Sequence, residues 1–124
     1  MKSKLLLLSF AMTCVFSNAA IALTKTEYKT QKDGISSTYK VDREKCNALK
    51  DNAKDICVSE AKGVEKIAKA ELEAAYKPTD RNIKKVDKVK HDTAYDTAKE
   101  KCDDSSGDAK SACKKEAKMK HAAK

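Results

Sequence analysis

The residues with the most chemistry to offer are the cysteines, four of the five falling in two pairs of one spacing: Cys46 and Cys57 in "CNALKDNAKDIC", Cys102 and Cys113 in "CDDSSGDAKSAC". Thiols can ligate a metal or bridge to one another. Structural zinc sites draw thiolates from closely spaced C-x2–4-C pairs, and ten intervening residues do not match that pattern. Disulfides are the expectation. Four cysteines allow three pairings. Cys46 with Cys57 and Cys102 with Cys113 puts each bridge across a single bend, each partner about one turn from it on antiparallel helices; Cys46 with Cys113 and Cys57 with Cys102 stays open. A bridge closing a loop of this size contributes roughly 3 kcal/mol.

Other reactive side chains form no catalytic constellation, and no glycine-rich phosphate loop, nucleophile elbow or haem-attachment motif occurs. No catalytic residue, metal site, cofactor or small-molecule substrate is assigned. His91 is expected to be a partly buried structural residue and His121 to lie in a C-terminal turn. Lysines are the remaining resource. Lys84, Lys85, Lys88 and Lys90, with Lys114, Lys115, Lys118 and Lys120, could form a basic patch for a polyanion such as lipopolysaccharide, anionic lipid or nucleic acid. Only Arg43 and Arg81 supply the forked guanidinium that grips phosphate and guanine, so a solvated helix face is the competing reading. Local pairs of Glu65 with Lys69, Glu73 with Lys77, Asp80 with Lys84 and Glu116 with Lys120 are expected to use up some of that charge.

The N-terminus reads as a secretory signal: Lys2 and Lys4, then the apolar "LLLLSFAMTCVF", then cleavage candidates after Ala19 or Ala22. Cys14 sits in "AMTC", which lacks the aliphatic residue of a lipid-attachment site. Residues 1–22 are therefore assigned as a signal peptide, and no membrane span is expected after cleavage. An export address explains the cysteines, because disulfides persist in oxidising compartments. The chain is expected to be periplasmic or secreted.

What remains is thin in core material. After residue 22 there is no Phe, Trp is absent from the whole chain, and thirteen residues are Leu, Ile, Val or Met. Ala, Lys and Glu dominate, and all three favour helix. Residues 23–76 carry 11 basic and 10 acidic side chains, residues 77–124 carry 14 and 9. The basic excess lies in the second half.

Shifting the sequence by 56 residues aligns "YKVDREKCNALKDNAKDICVSEAK" with "YDTAKEKCDDSSGDAKSACKKEAK", with ten of 24 positions identical, both cysteine pairs among them. This reads as one helical unit used twice. Turn-forming "LKDN" and "DDSSGD" sit between the cysteines, with Asn52 or Asp108 as N-caps. Helices are expected to about Leu49, from Ala53 to Tyr76, from Asp80 to Cys102, and from Ala109 towards His121. Pro78 separates the hairpins, 23–77 and 78–124, with a kinked continuous helix as the alternative. Gly34 in "KDGISS" is expected to make what precedes it fray or form a separate turn, and Gly63 to cost about 1 kcal/mol unless another backbone packs close. Ile35, Tyr39 and Cys46 are expected to face Cys57, Ala61, Val64, Ala68 and Leu72, with Ala53, Ala61, Ala109 and Ala117 letting the helices approach. The fold class is all-α: two disulfide-stapled hairpins, packed as a small four-helix bundle or extended.

At "AKDICVSEAKG", "AKAELEAAYKPT" and "AKEKCDD" the chain resembles a family of small exported Lys/Ala-rich proteins of Gram-negative bacteria, sometimes labelled cell-envelope biogenesis or TolA-like. The resemblance implies export and helical structure and adds no site residue. The expected function is non-enzymatic contact with a cell-envelope component or protein partner, with polyanion binding through the lysines above as the alternative.

Overall fold

The computed structural model describes residues 22–122. The segment expected to be a signal peptide, residues 1–22 with Cys14, lies outside the described residues apart from Ala22. Helices α1 (Lys25–Cys46), α2 (Asp51–Tyr76), α3 (Asp80–Lys101) and α4 (Gly107–His121) carry the chain, with a 3-10 turn at Cys102–Asp104. Cys46 bridges to Cys57 and Cys102 to Cys113, with Cα separations of 5.6 and 5.7 Å. The fold is all-α, two hairpins each stapled by a disulfide, and the cross-hairpin pairing is not the one formed.

The helix starts explain the first departure from expectation. Thr24 and Glu27 form a capping box: the Glu27 amide donates to Thr24 Oγ1 at 3.2 Å and the Thr24 amide donates to Glu27 Oε2 at 2.8 Å. So anchored, α1 runs unbroken through "KDGISS", and the fraying expected before Gly34 does not occur. Ser37 and Thr38 donate their hydroxyls to the carbonyls of Asp33 and Gly34, keeping the polar stretch satisfied within the helix. At Pro78 the chain breaks rather than kinks. Thr79 caps α3 by accepting from the Asn82 amide at 3.2 Å, while Asn82 Nδ2 donates to the Lys77 carbonyl at 2.8 Å.

The two cysteine turns are built alike, but not through the expected caps. Asn52 and Asp108 lie inside their helices, and Lys50 and Ser106 hold the cap positions without side-chain bonds. The reversal is made one residue later, where Asp51 and Gly107 take positive φ of 50° and 56°. Glycine adopts that conformation freely, whereas a residue with a Cβ is strained by roughly 1 kcal/mol. Gly107→Ala is therefore expected to lower stability by about 1 kcal/mol, and Asp51→Gly to raise it by a few tenths, partly offset by loss of an acidic side chain in the first turn. Urea denaturation of the two variants checks both signs.

Contacts run from α1 to α2, α2 to α3 and α3 to α4, so the helices lie side by side in chain order as an open antiparallel row. The most extensive interface joins α2 to α3, across the hairpins rather than within one. Small residues make it possible. Gly63 is buried, and a Cβ placed there would lie 3.2 Å from Thr93 Cβ. One turn away the hydroxyls of Ser59 and Thr97 are 3.2 Å apart. The buried Thr93 hydroxyl donates to the Val89 carbonyl at 2.8 Å, so close approach leaves it satisfied.

Burial is sparse elsewhere. Cys46 and Cys102 are the most deeply buried side chains, joined by Ala70, Leu72, Thr93 and Ala117. Of the alanines expected to admit close approach at the bridges, Ala117 is buried and Ala61 half-buried, but Ala53 and Ala109, in the first turns of α2 and α4, face solvent. Tyr28 and Tyr76 stack with ring centroids 4.5 Å apart, closing the open end of the first hairpin.

Candidate functional site

Because the helices form a row, the α1–α2 and α2–α3 seams open onto a shared face. Gly34, Ile35, Thr38, Ala61, Val64 and Ala68 line a groove of about 370 Å³ between α1 and α2. Val64 and Ile67, with Ala94, Thr97 and Ala98, line a second groove between α2 and α3, reached at its rim by Lys120 and His121 of α4. Val64 belongs to both. It was expected inside the first hairpin's seam with Leu72; Leu72 is buried, but Val64 is 60% exposed because among the described residues no helix crosses above α2.

Helical spacing extends this face. Val41 continues the stripe of Gly34 and Thr38 on α1, and Ile83 that of Lys90, Ala94, Thr97 and Lys101 on α3. Val41 is 52% and Ile83 51% exposed. Carboxylates between α2 and α3 are matched: Glu60 pairs with Lys101 at 3.3 Å and Glu71 with Lys90 at 2.8 Å. The opposite groove of the same seam is polar, lined by Asp55, Ser59, Lys62, Lys66, Asp96 and Glu100. One face of the row therefore carries the exposed apolar side chains, set among paired charges, and the other is charged.

The predicted basic patch divides. Lys85 binds Glu73 at 2.7 Å, Lys90 binds Glu71, Lys88 pairs with Asp92, and Lys114 shares Asp103 with Lys110 at 3.0 and 2.9 Å. Lys84, Lys115, Lys118 and Lys120 have no carboxylate partner among the described residues. Lys84, Lys88 and Lys120 converge on a groove of about 740 Å³ between α3 and the end of α4, with Asp87, His91 and Met119. Lys115 and Lys118 lie on other parts of α4. His91 is exposed, contrary to its expected partial burial: it stands in the middle of α3 where α4 ends, across the groove from Met119 and Lys120.

Of the local ion pairs expected, Glu65 with Lys69 forms at 2.6 Å. Glu73 with Lys77, Asp80 with Lys84 and Glu116 with Lys120 do not form. Glu73 turns instead across the seam to Lys85, which the close α2–α3 approach brings within reach.

These pairs give stability a pH dependence. The Lys85 ammonium holds Glu73 below its usual 4.5, and Lys110 followed by Lys114 holds Asp103 below 3.8. A carboxylate depressed in the folded state stabilises it above the unfolded pKa and loses that contribution as pH falls through the folded value. Thermal stability is accordingly expected to hold from neutral pH to about pH 5 and to decline below about pH 4, with Glu73→Gln removing part of the decline. Both groups face water, so the effect is modest and shrinks with salt. Melting curves across pH provide the check.

The sequence did not single out Val41, Ile83 or Met119, whose apolar character at helical spacing was the available signal. Tyr28 was missed too. Among the described residues, no cluster of three or more metal-ligating side chains occurs, and no helix is long and apolar enough to cross a membrane. Fold and site together define a class, the small all-α protein whose helical row is stapled by sulfur and open on one apolar face. Compared with family models, curated proteins and solved structures, the chain has no match.

Proposed function

We propose that the chain is an exported, non-enzymatic helical protein that works by contact, presenting the open face of its row to a cell-envelope component or protein partner. The exposed Val64, shared by two grooves, carries this reading, since apolar side chains left exposed along one face of a chain so poor in them are costly unless something covers them. Two disulfides support an oxidising destination beyond the cytoplasm, and the signal-like N-terminus supports export to the periplasm or medium. The aligned cysteine turns, with matching positive φ at Asp51 and Gly107, support a duplicated unit.

A photocrosslinking amino acid at position 64, in the protein expressed and exported in its own host, tests the reading. The expected result is a discrete adduct with an envelope component, lost when Val41→Glu is added. Absence of any adduct, with wild-type and Val64→Glu chains fractionating identically, contradicts it. Polyanion binding is a second reading, favoured by the convergence of Lys84, Lys88 and Lys120.

A further inference from the structure

The α3–α4 groove combines two properties that a plain basic patch lacks. Exposed apolar side chains accompany its lysines: Met119, 69% exposed, lies within it, and Ile83, 51% exposed, lies outside its lining on the adjoining stripe of α3, one turn from Asp87. Its charge is also only partly compensated. Lys84, Lys88 and Lys120, with His91, line the groove beside the carboxylate Asp87, and of the three lysines Lys88 is paired, with Asp92. Lys84 and Lys120 have no salt-bridge partner among the described residues. The half of the chain holding this groove carries 14 basic and 9 acidic residues.

A free polyanion would be matched by the ammonium groups alone and would leave Ile83 and Met119 in water. A protein partner of ordinary composition would not call for this excess of one sign. An anionic bilayer offers both complements within a few ångströms, phosphates at the surface and acyl chains just beneath. Lysine stems suit this position, because their methylenes lie along the apolar boundary while the ammonium reaches the headgroups.

We infer that the α3–α4 edge is a peripheral membrane-binding site for an anionic phospholipid surface, with Ile83 and Met119 entering the acyl boundary and Lys84, Lys88 and Lys120 on the phosphates. The inference rests on the contact reading and names its partner. The amphipathic edge continues through Lys120 into the Val64-floored face, so the row would lie with its apolar side towards the bilayer.

Flotation of the oxidised mature chain with vesicles of phosphatidylglycerol and phosphatidylethanolamine, or of phosphatidylcholine alone, tests it. Wild-type chain is expected to float with the anionic vesicles and not with phosphatidylcholine, and to be released by added salt. Replacing Lys84, Lys88 and Lys120 by Gln should weaken binding about fivefold per lysine. Ile83→Ser with Met119→Ser should weaken it about tenfold or more at unchanged charge. All five positions are on the surface, so circular dichroism should show the helices retained.

No flotation overturns the inference. So does flotation indifferent to the serine pair, which would make the site a general polyanion binder, and so does binding to phosphatidylcholine indifferent to the glutamines. The two readings fail separately. A position-64 adduct with an envelope protein, alongside failed flotation, keeps contact and removes the lipid; loss of both adduct and flotation removes both.

Discussion

Replacing Cys102 and Cys113 together by alanine is expected to destabilise the protein by about 3 kcal/mol, the chain-entropy value for a loop of this length, and to lower its melting temperature by on the order of 15 °C. α4 has few other attachments. It packs on α3 and the turn that follows it, contributes Ala117 as its buried apolar residue, and is held otherwise by Lys110 and Lys114 on the exposed Asp103. Exposed pairs of that kind contribute at most about 1 kcal/mol each. Removing the Cys46–Cys57 bridge should carry a similar global effect but leave α1 better attached, because Tyr28 still stacks on Tyr76 and Ile35 and Tyr39 remain partly covered by α2. Losing both bridges takes away about 6 kcal/mol, comparable to the whole stability of a small domain. Chemical denaturation of the two paired variants and of their combination measures these losses, and equal stability of all of them with wild type would contradict the assignment.

Gly63→Leu is expected to be the most damaging single substitution in α2, costing roughly 2–3 kcal/mol by overpacking. The Cβ alone would stand 3.2 Å from Thr93 Cβ, and the rest of a leucine has no room short of parting α2 from α3. That movement would also separate Ser59 from Thr97 and stretch Lys66–Asp96 and Glu71–Lys90. Gly63→Ala sets a helix-propensity gain of about 1 kcal/mol against the same tight contact, so its net effect should be near zero. Removing the neighbour's Cβ decides between these causes: Gly63→Ala combined with Thr93→Gly should be more stable than the two single effects sum to, because the 3.2 Å contact is to Thr93 Cβ itself. Strict additivity would show that the seam is looser than described.

The local grammar of the chain was readable because each signal acts within a few residues. Pro78 and Thr79 mark a break and a cap, the cysteine spacing marks a bend with a bridge, and Ala, Lys and Glu leave no alternative to helix. Thr24 and Glu27, at capping-box spacing, offered an equally local sign that α1 starts firmly, and it outweighs the weakness of Gly34. Tertiary choices were less legible. Gly63 reads as a flaw until Thr93, thirty positions later, is known to lie against it. Lys85 looks available to an anion until α3 folds back to set it on Glu73. Asp51 and Gly107 share a backbone role that residue type announces only at the glycine. The exposure of Val64 follows from the helices forming a row, which pairwise seams do not determine.

That row makes a specific demand. Its centre, α2 on α3, is held by close-packed small residues, while each outer helix depends on its own sulfur bridge. Backbone hydrogen exchange of the oxidised and the fully reduced protein, compared helix by helix, tests the division of labour directly. Reduction should strip protection from α4 first and α1 next, leaving α2 and α3 around Gly63 and Thr93 the slowest to exchange. Protection in α1 and α4 that survives reduction unchanged would contradict it.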